Sequence, residues 1–252
     1  GREPFRLSWE EISKTLNEAL FERKYLYACH MQLLENTGGL FTHLRGHASF
    51  TGRNTVSVDR AGPRIEATAE HFIIATGSKP RALPNVTVDE KCIMTSDGIF
   101  HINDLPESIV IIGAGVIGCE FATIFSNFGR TKVHLIDRAD RILPFEDTDV
   151  SELVARNLER RGVVIHRNAK LERIEAMPHG IEYDLSYADG RTERVNVERA
   201  LLSVGRIPNL ENLGLEHLGL ELDPVTHLLT VEGTRTAQEH VHVVGDASGS
   251  NM

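Results

Sequence analysis

Cysteine is scarce in this chain. Its 252 residues include three, Cys29, Cys92 and Cys119, far apart and with no C-x-x-C pair. That usage excludes a disulphide framework and points to a reducing, cytoplasmic compartment. Each cysteine is expected to be a buried small hydrophobe. Positive charge is also short: 27 Lys and Arg face 36 Asp and Glu, a net charge of -9. The balance disfavours nucleic acid or an anionic membrane as partner. No apolar run approaches the ~20 residues of a membrane-spanning helix. A G-x-S-x-G elbow and an H-E-x-x-H zinc motif are both missing. Histidine numbers 12, but neither His43 with His47 nor His240 with His242 has a Cys, Asp or Glu partner at ligand spacing, so no metal site is expected. What remains is an ordinary globular composition, 41% hydrophobic and 25% charged, long enough for one or two domains.

The strongest positive signal is Ile109-Val110-Ile111-Ile112-Gly113-Ala114-Gly115-Val116-Ile117-Gly118-Cys119-Glu120. A β-prone apolar run enters G-x-G-x-x-G, and a helix-forming segment follows. Gly113 permits the tight turn, Gly115 lets a pyrophosphate approach the backbone, and Gly118 lets the helix pack closely. The helix start offers free N–H groups to the phosphates. Lys132 to Ile136 reads as the next strand. Asp137 ends it, 19 residues after Gly118, where an acid holds a ribose hydroxyl pair.

A second pattern is a repeat. Glu70 to Pro80 and Glu198 to Pro208 share glutamate, an apolar pair, glycine and proline at an offset of 128. Both read as a buried parallel strand ending at a glycine. Each follows three short strands: Thr42 to Phe50, Thr55 to Asp59 and Arg64 to Thr68 before Gly77; Leu171 to Ala176, Ile181 to Tyr187 and Thr192 to Val197 before Gly205. Two copies of one nucleotide-binding plan are therefore expected. Gly113 precedes Gly205 by 92 residues, whereas 76 residues precede Gly77. The opening strand and loop of the first copy would fall before residue 1, and the chain is expected to be a piece of a longer protein. His240 to Val244 reads as a further strand running into Gly245-Asp246, with a loop from Ala247 to Met252.

Ser8-Trp9-Glu10-Glu11 reads as a capping box that opens a helix from Trp9 to about Glu35, closed by Gly38-Gly39. Leu16, Leu20, Tyr27, Met31 and Leu34 form an apolar stripe on it, expected to face a core. Helices are also predicted from Val116 to Phe128 and Asp149 to Arg161, with Val163 to Ile165 as a third parallel strand. Glu146-Asp147 reads as solvated surface. Boundaries fall near Asp97 to Glu107 and near Asp223-Pro224.

In combination, Ala75-Thr76-Gly77, Gly113 to Glu120, Gly205-Arg206-Ile207-Pro208-Asn209 and Val243-Val244-Gly245-Asp246 make the chain resemble the pyridine nucleotide-disulphide oxidoreductases. The glycine loop and the helix after it are most similar to the soluble pyridine nucleotide transhydrogenase branch, with dihydrolipoamide dehydrogenase close behind. The resemblance implies an α/β fold in which a Rossmann-like three-layer NAD-binding domain is inserted in a partial, related FAD-binding domain. Residues 1–100 would be the second half of the FAD domain, 101–223 the NAD(P) domain, and 224–252 the return to the FAD domain. Gly113, Ala114, Gly115, Val116, Ile117, Gly118, Asp137, Arg138 and Gly205 would bind NAD(P). Thr76, Gly77 and Asp246 would line the FAD site, Asp246 on the ribityl chain. Val116 sits where some members place an aromatic gate. Glu120 would approach the flavin and nicotinamide rings. The implied chemistry is hydride transfer from NAD(P)H to FAD, then to a second nicotinamide nucleotide or a disulphide. A homodimer through a C-terminal domain outside this chain is implied, and the chain alone is expected to bind FAD weakly and not to turn over.

Asp137 favours NAD, since its carboxylate would repel a 2′-phosphate. Arg138 and Arg141 could instead pair with that phosphate, or be exposed loop charges. The rival readings are a nicotinamide-binding sensor or scaffold without redox chemistry, and a degenerate structural homologue.

Overall fold

The computed structural model describes residues 9–249. The Ser8 cap and the last three residues of the expected terminal loop lie outside them. In chain order the elements are α1 (Trp9–Glu35), β1 (His47–Gly52), β2 (Thr55–Asp59), β3 (Ile65–Thr68), β4 (Phe72–Ile74), β5 (Ser78–Pro80), β6 (Ile93–Thr95) and β7 (Ser108–Ile112). Then come α2 (Val116–Asn127), β8 (Lys132–Ile136), α3 (Thr148–Arg160), β9 (Val164–His166), β10 (Ala169–Met177), β11 (Gly180–Tyr187), β12 (Thr192–Val197), β13 (Arg199–Leu202), β14 (Arg206–Pro208) and β15 (Val241–Val243). The described chain divides into two compact units, residues 9–17 with 80–205 and residues 18–79 with 206–249.

The first unit is built on a parallel sheet of order β6-β13-β7-β8-β9. Central β7 is covered on both faces, so it reads as a continuous apolar run rather than an alternation. Ile109 and Ile111 pack with Ala122 and Phe125 of α2, Leu135 of β8 and Leu158 of α3. Val110 and Ile112 face the other way, toward Ile181, Tyr183 and Leu185 of the antiparallel meander β10-β11-β12. Helices, sheet and meander are thus three layers. Each such buried side chain contributes about 1.5–3 kcal/mol over exposure. The β7–α2–β8 crossover places the turn before α2 at the C-terminal edge of the sheet, where open α/β folds bind ligands.

Tyr183 is fully buried in the meander face, and among the described residues its hydroxyl has no hydrogen-bond partner. A buried unsatisfied hydroxyl costs free energy. Tyr183→Phe is therefore expected to leave stability unchanged or raise it by up to about 1 kcal/mol. Urea denaturation checks this, and a loss larger than that would show that the hydroxyl has a partner in solution.

The second unit holds the antiparallel sheet β1-β2-β3, the parallel pairing of β4 with β15, and the pairing of β5 with β14. Its core comprises Phe50, Ile74, Leu210, Leu215, Leu218, Val241 and Val243. The β5–β14 pair joins equivalent segments of the two repeats.

Several expectations need correction. The first strand begins at His47, not Thr42, because β2 ends at Asp59, the register partner of His47, and leaves residues 42–46 nothing to pair with. His43 therefore lies outside any strand. Helix α1 has the expected bounds, but no residue of it is buried, and Leu16, Leu20, Tyr27 and Leu34 are exposed. Its stripe is not core: Phe21, Tyr25, Leu26 and Leu33 are exposed as well, so the apolar residues surround the helix rather than marking one face. Cys119 is buried as expected, but Cys29 and Cys92 are half-buried.

Candidate functional site

The turn from β7 to α2 is pinned from several sides. Gly113 has φ +100°, a left-handed value that disfavours any side chain, and a Cβ there would collide with the Ser203 carbonyl oxygen. On Gly118 a Cβ would strike the Gly113 carbonyl oxygen, so the close packing that Gly118 allows is against the turn itself. The Ser203 hydroxyl lies 3.0 Å from the Ile112 carbonyl and 2.8 Å from that of Gly113. Gly115 differs: its φ is -74° and a Cβ would meet nothing within 4 Å. It is the N-cap of α2 and contributes no side chain, so the first-turn N–H groups face the open space beside it.

Asp137 joins this turn. Its carboxylate accepts the Ala114 N–H at 2.7 Å through one oxygen and the Ala139 N–H at 2.9 Å through the other. The carbonyl of Ala114 accepts the Leu143 N–H at 2.7 Å, which folds the loop after Asp137 back onto the glycine turn. Cys119 Sγ also contacts that carbonyl, at 3.4 Å. Burial, aided by the charges of Asp137 and Glu120, pushes the Cys119 thiol up to about 12, so it stays protonated and unreactive at neutral pH.

The two loop arginines separate clearly. Arg138 is exposed next to Asp137. Arg141 is engaged by its own loop, donating to the carbonyls of Glu146 at 3.0 Å and Pro144 at 2.8 Å and to the Thr148 hydroxyl at 3.0 Å. It is therefore neither a free phosphate ligand nor a loose surface charge. Val116 and Glu120 are exposed near the start of α2, and Ile117 is half-buried. The Gly205 carbonyl accepts the Arg81 N–H at 3.0 Å.

In the second unit the other motifs meet. Asn209 donates its side-chain amide to the Thr76 carbonyl at 3.1 Å and its backbone N–H to the Gly77 carbonyl at 2.9 Å. The Ser78 hydroxyl donates to Asp246 at 2.7 Å and accepts from Arg206 Nε at 2.7 Å. Thr76 and Asp246 are exposed. Ser78, Arg206 and Asn209 were given no role by sequence reasoning. The repeat offset could have shown two of them, because Ser78 and Arg206 occupy the same position in the two copies.

Among the described residues, no group of three or more His, Cys, Asp or Glu side chains is placed to hold a metal, and no helix is long and apolar enough to cross a membrane.

A parallel sheet between helices and a meander, with a glycine turn at its C-terminal edge, defines the Rossmann-like α/β class of nucleotide-binding folds. The pyridine nucleotide-disulphide oxidoreductase model matches residues 10–252, and the chain belongs to that family. Dihydrolipoyl dehydrogenase of Zymomonas mobilis is 34% identical over 209 residues, 82% of this chain and 44% of that protein. Soluble pyridine nucleotide transhydrogenase of Yersinia pestis is 38% identical over 205 residues, 81% of this chain and 43% of that protein. The chain thus spans less than half the length of these relatives. Among solved structures, a copper(II) complex of a mutant of the HOCl-induced flavoprotein disulfide reductase RclA from Escherichia coli superposes with a TM-score of 0.84 at 25% identity, covering 97% of this chain and 54% of that one. LpdA from Mycobacterium tuberculosis gives 0.83 at 26% identity, covering 98% and 53%.

Proposed function

We propose that the unit containing the glycine turn binds a nicotinamide dinucleotide, with NAD(H) preferred to NADP(H), and serves an FAD-dependent oxidoreductase in the full-length protein. One observation carries the reading: the open backbone at Gly115 stands beside a carboxylate, Asp137, already fixed to the same turn. Pyrophosphate would sit on the N–H groups at the start of α2, and Asp137 would take the ribose hydroxyls through its remaining lone pairs. Residues 101–205 would form the nicotinamide domain, shorter at its end than the sequence boundary near Asp223-Pro224 because residues 206–223 fall in the other unit, and Gly205 would be its nicotinamide end.

Thr76, Gly77 and Asp246 would hold part of the FAD. The fit is supported by their shared framework, since Asn209 and Ser78 tie these segments together and leave the Asp246 carboxylate exposed. The flavin supplies hydride acceptance and onward two-electron transfer. Glu120, exposed near the start of α2, supplies charge toward the reacting rings. The names of the relatives support a transhydrogenase or dihydrolipoamide dehydrogenase type of activity for the parent. A cytoplasmic homodimer formed through a domain outside this chain completes the proposal.

Calorimetric titration of this chain with NADH and NADPH tests it. NADH is expected to bind more tightly. Arg138→Ala should weaken NADPH about fivefold and leave NADH unchanged, because an exposed arginine–phosphate pair is worth about 1 kcal/mol. Arg141→Ala should leave the ratio of affinities unchanged and loosen the loop to α3. Binding of neither nucleotide would overturn the reading.

A further inference from the structure

Beneath Asp137, between the parallel sheet and the meander, runs a polar chain that the proposed chemistry does not use. His134 Nδ1 on β8 lies 3.1 Å from His166 Nε2 on β9. His166 Nδ1 lies 2.7 Å from the Tyr187 hydroxyl oxygen on β11, and that hydroxyl donates to Glu193 on β12 at 2.7 Å. Both histidines are buried, and Glu193 reaches the surface. Burial lowers both imidazoles from their ordinary value, His134 to about 4, so both are neutral near pH 7.

One proton arrangement then follows. The Tyr187 hydroxyl donates its hydrogen bond to Glu193, so its oxygen accepts from His166 Nδ1–H. His166 Nε2 is left to accept from His134 Nδ1–H. The charged and titratable neighbours are few. Lys132 on β8 and Arg191 before β12 oppose a positive charge on the histidines, and Glu193 favours one. Tyr183 on β11 packs edge-on against His134, with ring centroids 6.4 Å apart. The Arg191 guanidinium lies 3.8 Å over the Tyr187 ring, which fixes the surface end.

The other end reaches Asp137 through the backbone. The Asp137 N–H donates to the His166 carbonyl at 3.0 Å, and its carbonyl accepts the Ala169 N–H at 2.9 Å. Asn168 N–H closes a third bond, to the Ala139 carbonyl at 2.9 Å. Asp137 is thus held by the chain end of β9, and His166 is held by its side chain from two directions.

We infer that the chain His134–His166–Tyr187–Glu193 positions Asp137 and thereby sets the protein's discrimination between NADH and NADPH. The inference rests on the reading of Asp137 as the ribose acid. None of the four residues touches the nucleotide in it; they act through Asp137. A shift of the β9 end moves the carboxylate that must meet the 2′-hydroxyl and repel a 2′-phosphate.

Tyr187→Phe in the full chain tests it, because the substitution keeps the ring and removes the hydroxyl that ties His166 to Glu193, leaving His166 Nδ1 the longer direct approach to Glu193 at 3.3 Å. Two readouts are needed. Amide hydrogen exchange at Asp137 should quicken about fivefold, the equivalent of one lost hydrogen bond, while Ile111 and Leu201 keep their rates. NADH affinity should fall about fivefold with NADPH affinity unchanged. Glu193→Gln retains an acceptor oxygen and should keep the wild-type ratio. Unchanged exchange at Asp137, or equal weakening of both nucleotides, overturns the inference. Faster exchange with an unchanged ratio overturns it in another way, by showing that Asp137 is positioned by the chain but is not the ribose acid.

Discussion

Gly118→Ala is expected to lower the thermal midpoint of the glycine-turn unit by about 10 °C, whereas Gly115→Ala leaves the midpoint unchanged and weakens nucleotide binding at least about tenfold. The two glycines stand three residues apart in one motif, yet their surroundings differ in kind. A methyl on Gly118 has nowhere to go, because the nearest atoms are the Gly113 carbonyl and the Ser203 hydroxyl, both fixed in the same turn. The clash must be relieved by moving α2 away from the turn, which also pulls Cys119 and Ala122 from the core. Overpacking of this kind costs about 3 kcal/mol. For a unit of this size that corresponds to about 10 °C. A methyl on Gly115 points into open space at an ordinary φ, so folding loses nothing. It occupies the place where phosphate oxygens would approach the α2 N–H groups, and NADH affinity should fall by at least about tenfold. Calorimetry and thermal melts on the two variants separate these effects. A wild-type midpoint for Gly118→Ala would show that α2 can shift freely, and wild-type NADH binding by Gly115→Ala would place the phosphates elsewhere.

The difference between those glycines was legible in part. The apolar run of β7, the glycine spacing and the acid after β8 are all local patterns, and local patterns survive as written because strand, turn and helix each obey their own periodicity. The repeat at an offset of 128 showed that Gly77 and Gly205 close equivalent strands. It did not show that Ser78 and Arg206 meet, because pairing between copies is a tertiary fact. Asp137 was placed correctly at the strand end, but its hydrogen bond to Ala114 depends on the turn's conformation. Arg141 looked the same as Arg138 in sequence, and the curl of its own loop decided its partners. The exposed stripe of α1 followed helical spacing faithfully, yet spacing does not say whether anything covers a face. Hidden most completely was the chain from His134 to Glu193. Its members lie on four strands, and a histidine in a strand has no signature until the partner strand is known.

That chain gives the unit an acid-sensitive stability. Burial, with His166 and Lys132 adding to it, pushes His134 down to about 4 from 6.5. His166 is lowered as well, by burial and by Arg191, with Glu193 opposing. A histidine whose pKa is depressed on folding binds its proton more readily in the unfolded chain, so acid favours unfolding. The stability from a neutral His134 is whole above about pH 6.5 and is lost as the pH falls toward 4. At pH 5 the loss from this residue alone should reach about 2 kcal/mol. Carboxylates cannot imitate it in that window. Asp89, Asp184 and Glu172 are held below their ordinary carboxylate range by hydrogen bonds to backbone amides, arginines or a lysine, so their contributions fade at lower pH. Trp9, whose indole donates to the Ile102 carbonyl at 2.7 Å, is the single tryptophan and reports on this unit by fluorescence. Urea denaturation followed at Trp9 should show the wild type less stable at pH 5 than at pH 7.5 by about 2–3 kcal/mol. His134→Gln keeps a donor for His166 Nε2 but cannot titrate, and should recover about 2 kcal/mol of that difference. An equal acid loss in both proteins would mean that the buried imidazole is not what the proton attacks. The same substitution should leave nucleotide binding at pH 7.5 near the wild-type value, since the glutamine amide still donates to His166 Nε2 and the chain stays closed.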